Sequence, residues 1–230
     1  MTLKERHHSP ALTKLHPLDE IGWLSQQPLD FREWAANVGR WRTYQPGQFV
    51  YHAGDTSDGA FGLASGGLQV TFPLVAEEPV IIYRAEAGFW IGDAAELASE
   101  PRIVTVMAAV ETRLFHLPSS AIKSLLDSRP EHWRCFYRLS IRNVHLAISL
   151  LAEALALTVR ARVSRRLLSL ADDDGDAKIT QDELAKLLGV TRPTIRRCLA
   201  ELEKMGAVET RYRKLRIVDR SCLEALKDEQ

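Results

Sequence analysis

The stretch QDELAKLLGVTRPTIRRCLAELEKMG, residues 181–206, decides the fold of the second half of the chain. A helix-turn-helix unit needs a small residue where its two helices cross, a glycine in the turn between them and apolar side chains on both inward faces. Ala185 and Gly189 provide the first two. The expected inward positions are Leu184, Leu188, Val190, Ile195 and Cys198. The stretch therefore predicts two crossed helices, of which the second can read DNA.

The second helix of this pair carries the side chains that we expect to face DNA. Thr191 can cap its N-terminus, and Pro193 suits its first turn, where the missing N–H would have no partner anyway. Arginines at the start of a helix oppose the helix dipole, so their presence makes sense if phosphates or guanine edges lie opposite. The predicted DNA contacts on this helix are Thr191, Arg192, Pro193, Thr194, Arg196 and Arg197.

A basic hairpin is predicted after Gly206, where AVETRYRKLRIVD, residues 207–219, reads as two short strands around a charged tip. Such a wing usually touches backbone phosphate. Its predicted DNA contacts are Arg211, Arg213 and Lys214. Residues 160–216 hold fourteen Lys or Arg against nine Asp or Glu, whereas residues 1–159 hold fourteen against seventeen. The C-terminal part is therefore the basic one, which permits nucleic-acid binding without establishing it.

The acidic stretch DDDGDAKITQDE, residues 172–183, supports a competing interpretation as a calcium loop. Six residues fall at the ligand spacings of a twelve-residue EF-hand loop, namely Asp172, Asp174, Asp176, Lys178, Thr180 and Glu183. Ala177, however, stands where such a loop turns sharply and needs glycine, and the sequence has no second loop to pair with it. We therefore interpret residues 172–176 as an acidic turn before a short strand, and calcium binding remains the alternative.

A stretch without Gly or Pro, from about residue 131 to 157, predicts one long helix. Apolar residues recur along it at alternating steps of four and three, the seam of a two-stranded coiled coil. This seam consists of Tyr137, Ile141, Val144, Ile148, Leu151 and Leu155. We predict that one face packs on its own domain and the seam packs on a second copy. The alternative is a helix buried inside its own domain.

Residues 40–118 are dense in β-forming residues, in short alternating runs broken by Gly and Pro. Seven or more short strands at this spacing predict a jelly roll. The chain is therefore predicted to be an α+β protein with an N-terminal tail, a β jelly-roll barrel sensor domain, a dimerisation helix and a winged helix-turn-helix domain. The predicted bounds are 1–20, 21–130, 131–158 and 159–230.

Several classes of protein are excluded by composition and motifs. The three cysteines, Cys135, Cys198 and Cys222, are odd in number and form no CxxC pair, which argues against disulfides, structural zinc and cysteine-ligated clusters. We find no Gly-rich phosphate loop, nucleophile motif or metal-ligand cluster, so we expect no enzyme and no metal. No apolar run approaches the roughly 20 residues of a membrane span and no secretory start is evident, so we expect a cytoplasmic protein without a membrane partner.

The order of barrel, long helix and winged helix-turn-helix resembles the Crp/Fnr family of bacterial transcription regulators. PGQFVYHAGDTSDGAFGLASGGLQV, residues 46–70, is similar to the first barrel strands of that family. GFWIGDAAELASEPRIVTV, residues 88–106, is similar to its phosphate-binding cassette. The resemblance implies a homodimer that binds a pseudo-palindromic operator in double-stranded DNA, with RNA polymerase as a possible further partner. The alternative is a ligand- or calcium-binding sensor that acts through protein contacts without DNA.

The resemblance also implies an effector pocket. Its residues would be Gly92, Asp93, Arg102, Ile103, Ala147 and Ile148. Members that respond to cyclic AMP carry Glu, a hydroxyl residue and a polar pair where this chain has Asp93, Ile103 and Ala147-Ile148. Because each buried group without a partner costs about 1–3 kcal/mol, we predict that cyclic AMP is not the effector. Arg102 could pair with another anion, but we expect it to form a structural salt bridge with Asp93 or Glu96.

Other effectors of the family are only partly excluded. The oxygen-sensing branch uses N-terminal cysteines, and no cysteine precedes Cys135. Haem-sensing members use a barrel histidine, and His52, His116 or His145 could serve, so haem stays open. The effector is otherwise undetermined, and no cofactor is predicted. The resemblance further implies that the state of the barrel reaches the recognition helices through a hinge near residues 158–160.

Overall fold

A computed structural model of the protein describes residues 12–73, 80–212 and 214–230. The chain divides into two compact units, one up to Val144 and one from His145 onward. Residues 1–11 of the predicted tail and Arg213 of the predicted wing lie outside the described residues. Residues 12–20 do not extend the tail, because Leu12, Leu15 and Leu18 are buried in the core of the first unit.

The described residues of the first unit form eight strands in two antiparallel sheets, which confirms the predicted barrel. The sheet orders are β1-β8-β3-β6 and β2-β7-β4-β5. The strands are β1 (Arg40–Tyr44), β2 (Phe49–Tyr51), β3 (Gly59–Ser65), β4 (Leu68–Phe72), β5 (Val80–Ala85), β6 (Trp90–Ile91), β7 (Thr105–Ala108) and β8 (Thr112–Pro118). Alternation along the strands places one row of apolar side chains between the sheets. Buried members of this core are Tyr51, Phe61, Leu63, Leu68, Val70 and Leu114.

Four α-helices begin in the described residues of the first unit, and a second core lies among them. They are α1 (Leu29–Val38), α2 (Asp93–Ala98), α3 (Ser119–Ser128) and α4 (Trp133–Ala156). The start of α4 packs on this core through Cys135, Phe136 and Leu139. The indole N–H of Trp23 donates to the carbonyl of Cys135 at 2.8 Å, which ties the segment before α1 to α4. One face of α4 is therefore buried in its own unit, as predicted.

The predicted seam of α4 is exposed along its whole length. Its side chains range from 49% exposed at Ile141 to 80% exposed at Leu155. The alternative of a helix wholly buried inside its own domain is therefore wrong. The segment Pro130–Ala156 is also long and apolar enough to span a membrane by length and composition alone, because an 18-residue window within it has a mean hydropathy of 1.3. The expectation that no apolar run approaches a membrane span is therefore wrong for this segment.

The second unit forms the predicted helix-turn-helix with a small sheet. Its elements are α5 (Val159–Leu170), β9 (Asp176–Ala177), α6 (Gln181–Leu188), α7 (Arg192–Lys204), β10 (Val208–Arg211), β11 (Lys214–Ile217) and α8 (Arg220–Leu226). The sheet order is β10-β11-β9, and both pairs are antiparallel. The predicted short strand after the acidic turn is therefore β9, and it forms the third strand of the wing sheet.

Candidate nucleic-acid interface and barrel cassette

The turn between α6 and α7 is built from local hydrogen bonds and one glycine. Thr180 and Glu183 form a capping box at the start of α6, because the Glu183 N–H donates to Thr180 Oγ1 and the Thr180 N–H donates to Glu183 Oε2. Gly189 ends the helix at φ 63°, a left-handed conformation that glycine adopts without strain. The Val190 N–H then donates to the carbonyl of Ala185 at 3.1 Å. These contacts fix the direction in which α7 leaves the turn.

Helix α7 is capped as the sequence predicts. The Thr194 N–H donates to Thr191 Oγ1 at 3.3 Å, and Pro193 lies in the first turn. Ile195, Cys198 and Leu202 are buried on the inner face. The side chains of the predicted DNA contacts on this helix and its cap are exposed, except for Thr194, which is half-buried. The helix therefore presents one solvated, arginine-rich surface.

The arginines of α7 differ in their partners. Arg192 Nε lies 2.9 Å from Asp182 Oδ1 of α6, and both side chains are largely exposed. This pair was not predicted from the sequence, although Asp182 stands in the first turn of α6, where acidic residues are favoured. Neither Arg196 nor Arg197 forms an ion pair with any residue that the structure describes. These two arginines are therefore free to meet phosphates or base edges.

Two cations of the wing, Arg211 and Lys214, are paired with acidic side chains. Arg211 Nη2 lies 2.8 Å from Glu209 Oε2, and this hydrogen bond lowers the pKa of Glu209. Lys214 forms an ion pair with Asp176 of β9, whose pKa is lowered by that contact. Tyr212 at the tip is 90% exposed and was not among the predicted contacts. The positive charges of Arg211 and Lys214 are therefore partly offset by neighbouring carboxylates.

The acidic stretch at 172–183 does not gather its oxygen atoms around one point. Asp172 Oδ1 accepts from the Asp176 N–H at 2.8 Å, while the Asp176 carboxylate pairs with Lys214. Glu183 is used in the cap of α6, and Ala177 is buried in β9 opposite Leu215. The stretch is thus an acidic turn, a strand and a helix cap.

We expect no calcium site in this stretch. Isothermal titration with calcium should give the same heats for the wild-type chain and for Asp172→Ala, since the carboxylates of Asp172, Asp176 and Glu183 already have other partners. Asp173→Ala is the matched control, because residue 173 falls between the ligand positions of a calcium loop. A micromolar site that Asp172→Ala removes and Asp173→Ala keeps would contradict this expectation.

The barrel cassette begins at Gly92, which adopts φ 101° before α2. A Cβ at this position would lie 2.4 Å from Arg102 Nη1 and 2.8 Å from the carbonyl oxygen of Gly59, so only glycine fits. Asp93 follows and is buried. Its carboxylate accepts from Ser140 Oγ at 2.6 Å and from Asn143 Nδ2 at 2.8 Å, both on α4. Burial raises the pKa of Asp93, and these two donors offset part of the rise.

Arg102 is buried, and both of its terminal nitrogens donate within the barrel unit, whereas Nε has no hydrogen-bond partner among the described residues. Its Nη2 donates to Asp58 Oδ1 at 3.0 Å and to the carbonyl of Gly59 at 2.7 Å, while Nη1 donates to the carbonyl of Gly92 at 3.1 Å. The guanidinium also lies 4.2 Å from the centre of the Tyr51 ring. Arg102 therefore connects the cassette to the turn before β3.

The predicted pairing of Arg102 with Asp93 or Glu96 is wrong. The Arg102 guanidinium pairs with Asp58, Asp93 is bound by the two polar residues of α4, and Glu96 accepts from Ser57 and Ser119 at 2.7 Å each. The reason is topological, because folding of the turn before β3 brings residue 58 next to residue 102. The expected type of contact, a structural salt bridge, is correct.

Comparison with known proteins decides the family. Residues 161–226 match the family model of the Crp-like helix-turn-helix domain, and residues 41–129 match that of the cyclic nucleotide-binding domain. The chain belongs to the Crp/Fnr family. Like other members, this Crp/Fnr protein is a DNA-binding transcription regulator and not an enzyme. The predicted family and fold class are thereby confirmed.

Relatives of this Crp/Fnr regulator occur among curated and solved proteins. It is 27% identical over 184 residues to the HTH-type transcriptional regulator Cmr of Mycobacterium tuberculosis, covering 80% of this chain and 75% of the relative. It is 27% identical over 128 residues to the CRP-like cAMP-activated global transcriptional regulator of that organism, and the match covers 52% of this chain and 57% of the relative. A CRP/FNR family regulator from Thermus thermophilus has the same fold at a TM-score of 0.70 and 20% identity. The match covers 83% of this chain and 99% of the solved chain.

The predicted effector residues of this Crp/Fnr regulator fall into three groups. Gly92 and Arg102 are in contact, and Asp93 follows Gly92 in the buried cassette. Ile103 is 66% exposed, so it offers the cassette no buried side chain. Ala147 and Ile148 are exposed residues of α4 that belong to the second unit. Their role with an effector remains a prediction.

The three histidines considered for haem also differ in their surroundings. His116 is buried, stacks on Phe61 at 4.5 Å and has Nε2 3.0 Å from the carbonyl oxygen of Asp58. Burial lowers the pKa of His116, and Arg42 lowers it further. His52 is exposed beside Phe49, and His145 is exposed on α4. His116 thus already belongs to the Asp58 contact network, which favours a structural role.

Proposed function

We propose that this regulator acts as a homodimer that binds a pseudo-palindromic operator through two copies of α7. The observation that carries the proposal is that one chain has two exposed features. These features are an arginine-rich surface on α7 and an uninterrupted apolar seam on α4. The first has the chemistry of a DNA-contacting surface, and the second has the chemistry of a surface that needs a partner.

The seam supports a parallel pair of helices. In heptad terms, the a positions hold Ile141, Ile148 and Leu155, of which the two isoleucines are β-branched, and one d position holds Leu151. β-Branched residues at a with Leu at d favour two strands over three or four. The flanking g positions hold the small residues Ala147 and Ala154, which allow two helices to approach closely. A parallel pair relates the two chains by a two-fold axis. The apolar side chains that give this segment its membrane-like hydropathy would then be covered by protein, as a cytoplasmic regulator requires.

The two-fold axis determines the expected form of the operator. Two recognition helices must lie about 34 Å apart to enter successive major grooves, so the half-sites should be inverted repeats at that spacing. Arg196 and Arg197 supply donors for guanine, while Arg192 is oriented by Asp182. Other family members often carry Glu at the position of Pro193, so sequence preference should differ from theirs. RNA polymerase remains a possible further partner.

The effector is proposed to be something other than cyclic AMP. The two terminal nitrogens of Arg102 donate to Asp58 and two carbonyls, and the carboxylate of Asp93 is held by Ser140 and Asn143. Cyclic AMP would have to replace these contacts without the hydroxyl and polar groups that its known binders offer. Buried groups that lose their partners are costly, so this exchange is unfavourable.

Selection of sites from random duplex DNA with purified protein tests the proposed function. We expect enrichment of an inverted repeat, with the same result in the presence and absence of cyclic AMP. Affinity for the selected site should fall roughly a thousandfold or more between about 50 and 200 mM salt if the dimer neutralises about six phosphates. Protein that enriches no sequence and binds every duplex weakly would contradict the proposal.

A further inference from the structure

We propose that the turn at His16–Glu20 binds a divalent transition-metal ion. His16 Nδ1 and carboxylate oxygens of Asp19 and Glu20 lie within 4.8 Å of one another. One imidazole and two carboxylates form a donor set suited to ions such as Zn²⁺, Mn²⁺ or Co²⁺, whereas Ca²⁺ and Mg²⁺ prefer oxygen alone. Water would complete the coordination, since the turn supplies three ligands.

The buried carboxylate of Asp19 is the observation that points to an ion. Its side chain is 8% exposed, and Oδ1 accepts no hydrogen bond within the described part of the chain. That oxygen faces His16 Nδ1 at 3.8 Å, and neither lysine nor arginine among the described residues forms an ion pair with it. A carboxylate withdrawn from water without a hydrogen-bond donor is costly. A cation between Asp19 and His16 would remove that cost.

The backbone of the turn is fixed before any ion binds. Leu15 and Leu18 are fully buried on either side of His16, and the Leu18 N–H donates to the carbonyl of Leu15 at 2.8 Å. The Glu20 N–H donates to the carbonyl of Pro17 at 3.0 Å. These contacts fix the backbone that carries His16, Asp19 and Glu20. Little further conformational entropy would therefore be lost when an ion binds.

The remaining adjustment is within reach of the side chains. Ligand atoms at about 2.1 Å from a tetrahedral ion lie about 3.4 Å from one another, somewhat closer than the atoms of this turn. The His16 side chain is 65% exposed and Glu20 is exposed, so both can rotate toward the buried Asp19. The least mobile ligand is therefore the buried one, and the two exposed ligands close on it.

Isothermal titration of the full chain with zinc tests the proposal. We expect one ion per chain, with affinity lowered at least about tenfold in His16→Ala and in Glu20→Gln. Both side chains are exposed, so neither substitution should disturb folding. Glu100→Gln removes another exposed carboxylate of the same unit and should bind as the wild type does. A His7→Ala/His8→Ala variant keeps all three ligands and should also bind normally.

Two further measurements distinguish this site from zinc binding elsewhere on the chain. Zinc should raise the melting temperature of the wild-type chain and leave that of Asp19→Asn unchanged, because a ligand stabilises only a state that binds it. Cobalt as a probe should give visible bands without a thiolate charge-transfer band. Unchanged binding in His16→Ala and Glu20→Gln, loss of binding in His7→Ala/His8→Ala, or a thiolate band would each overturn the proposal.

Discussion

A chain that carries Ile148→Glu and Leu151→Glu is expected to be monomeric and to lose most of its affinity for a two-half-site operator. The two side chains are 60% and 58% exposed in the single chain, so each unit should still fold. In a parallel pair of α4 helices, the same positions would bring four carboxylates into the apolar seam. Charges buried without partners are strongly unfavourable, so association should fail.

The loss in DNA affinity follows from linkage between the two half-sites. A dimer places its second α7 at a high effective concentration once the first has bound, and this advantage is typically about a hundredfold or more. The monomer should therefore bind a full operator and an isolated half-site with similar affinity. Light scattering coupled to gel filtration measures the mass, and gel shifts on both duplexes measure the affinity.

The matched control places the same two charges on another face of the helix. Ser149→Glu and Ala156→Glu stand at b positions, which point away from the partner in a two-stranded coil. This variant should remain a dimer and bind the operator as the wild type does. A dimer that survives Ile148→Glu and Leu151→Glu would show that the seam is not the interface.

Features set by local spacing could be predicted from the sequence. The helix-turn-helix depends on neighbours such as Ala185, Gly189 and Thr191, whose contacts lie within about one helical turn. The seam of α4 follows from a single period along one helix, and its exposure agrees with that pattern. In both cases the residues that determine the structure are close together in the chain, so their spacing carries the information.

Features set by distant partners could not be predicted. Arg102 pairs with Asp58, which lies 44 positions away, and nothing in the local pattern distinguishes Asp58 from Asp93 or Glu96. The Asp176–Lys214 pair depends likewise on β9 joining the wing sheet. The burial of Leu12, Leu15 and Leu18 shows the same limit, because a short apolar segment becomes core only when a surface exists to receive it.

Replacing Arg197 with alanine is expected to weaken operator binding by about 1–3 kcal/mol for each half-site if its guanidinium contacts a guanine. The side chain is exposed on α7 and pairs with no acidic group among the described residues, so its removal should leave the fold intact. Because a dimer uses two copies, the operator should lose about thirtyfold or more in affinity. Fluorescence anisotropy on the selected site measures this loss.

Lys204→Ala is the matched control for Arg197→Ala, since it removes one exposed positive charge from the last turn of the same helix. The salt dependence then distinguishes base contact from phosphate contact. Loss of a base contact should relax preference at one position of each half-site and leave the salt slope unchanged, whereas loss of a phosphate contact should weaken all sequences alike and reduce the slope by about one. Equal affinities for Arg197→Ala and the wild type would exclude Arg197 from the interface and leave Arg196 as the remaining unpaired reader on α7.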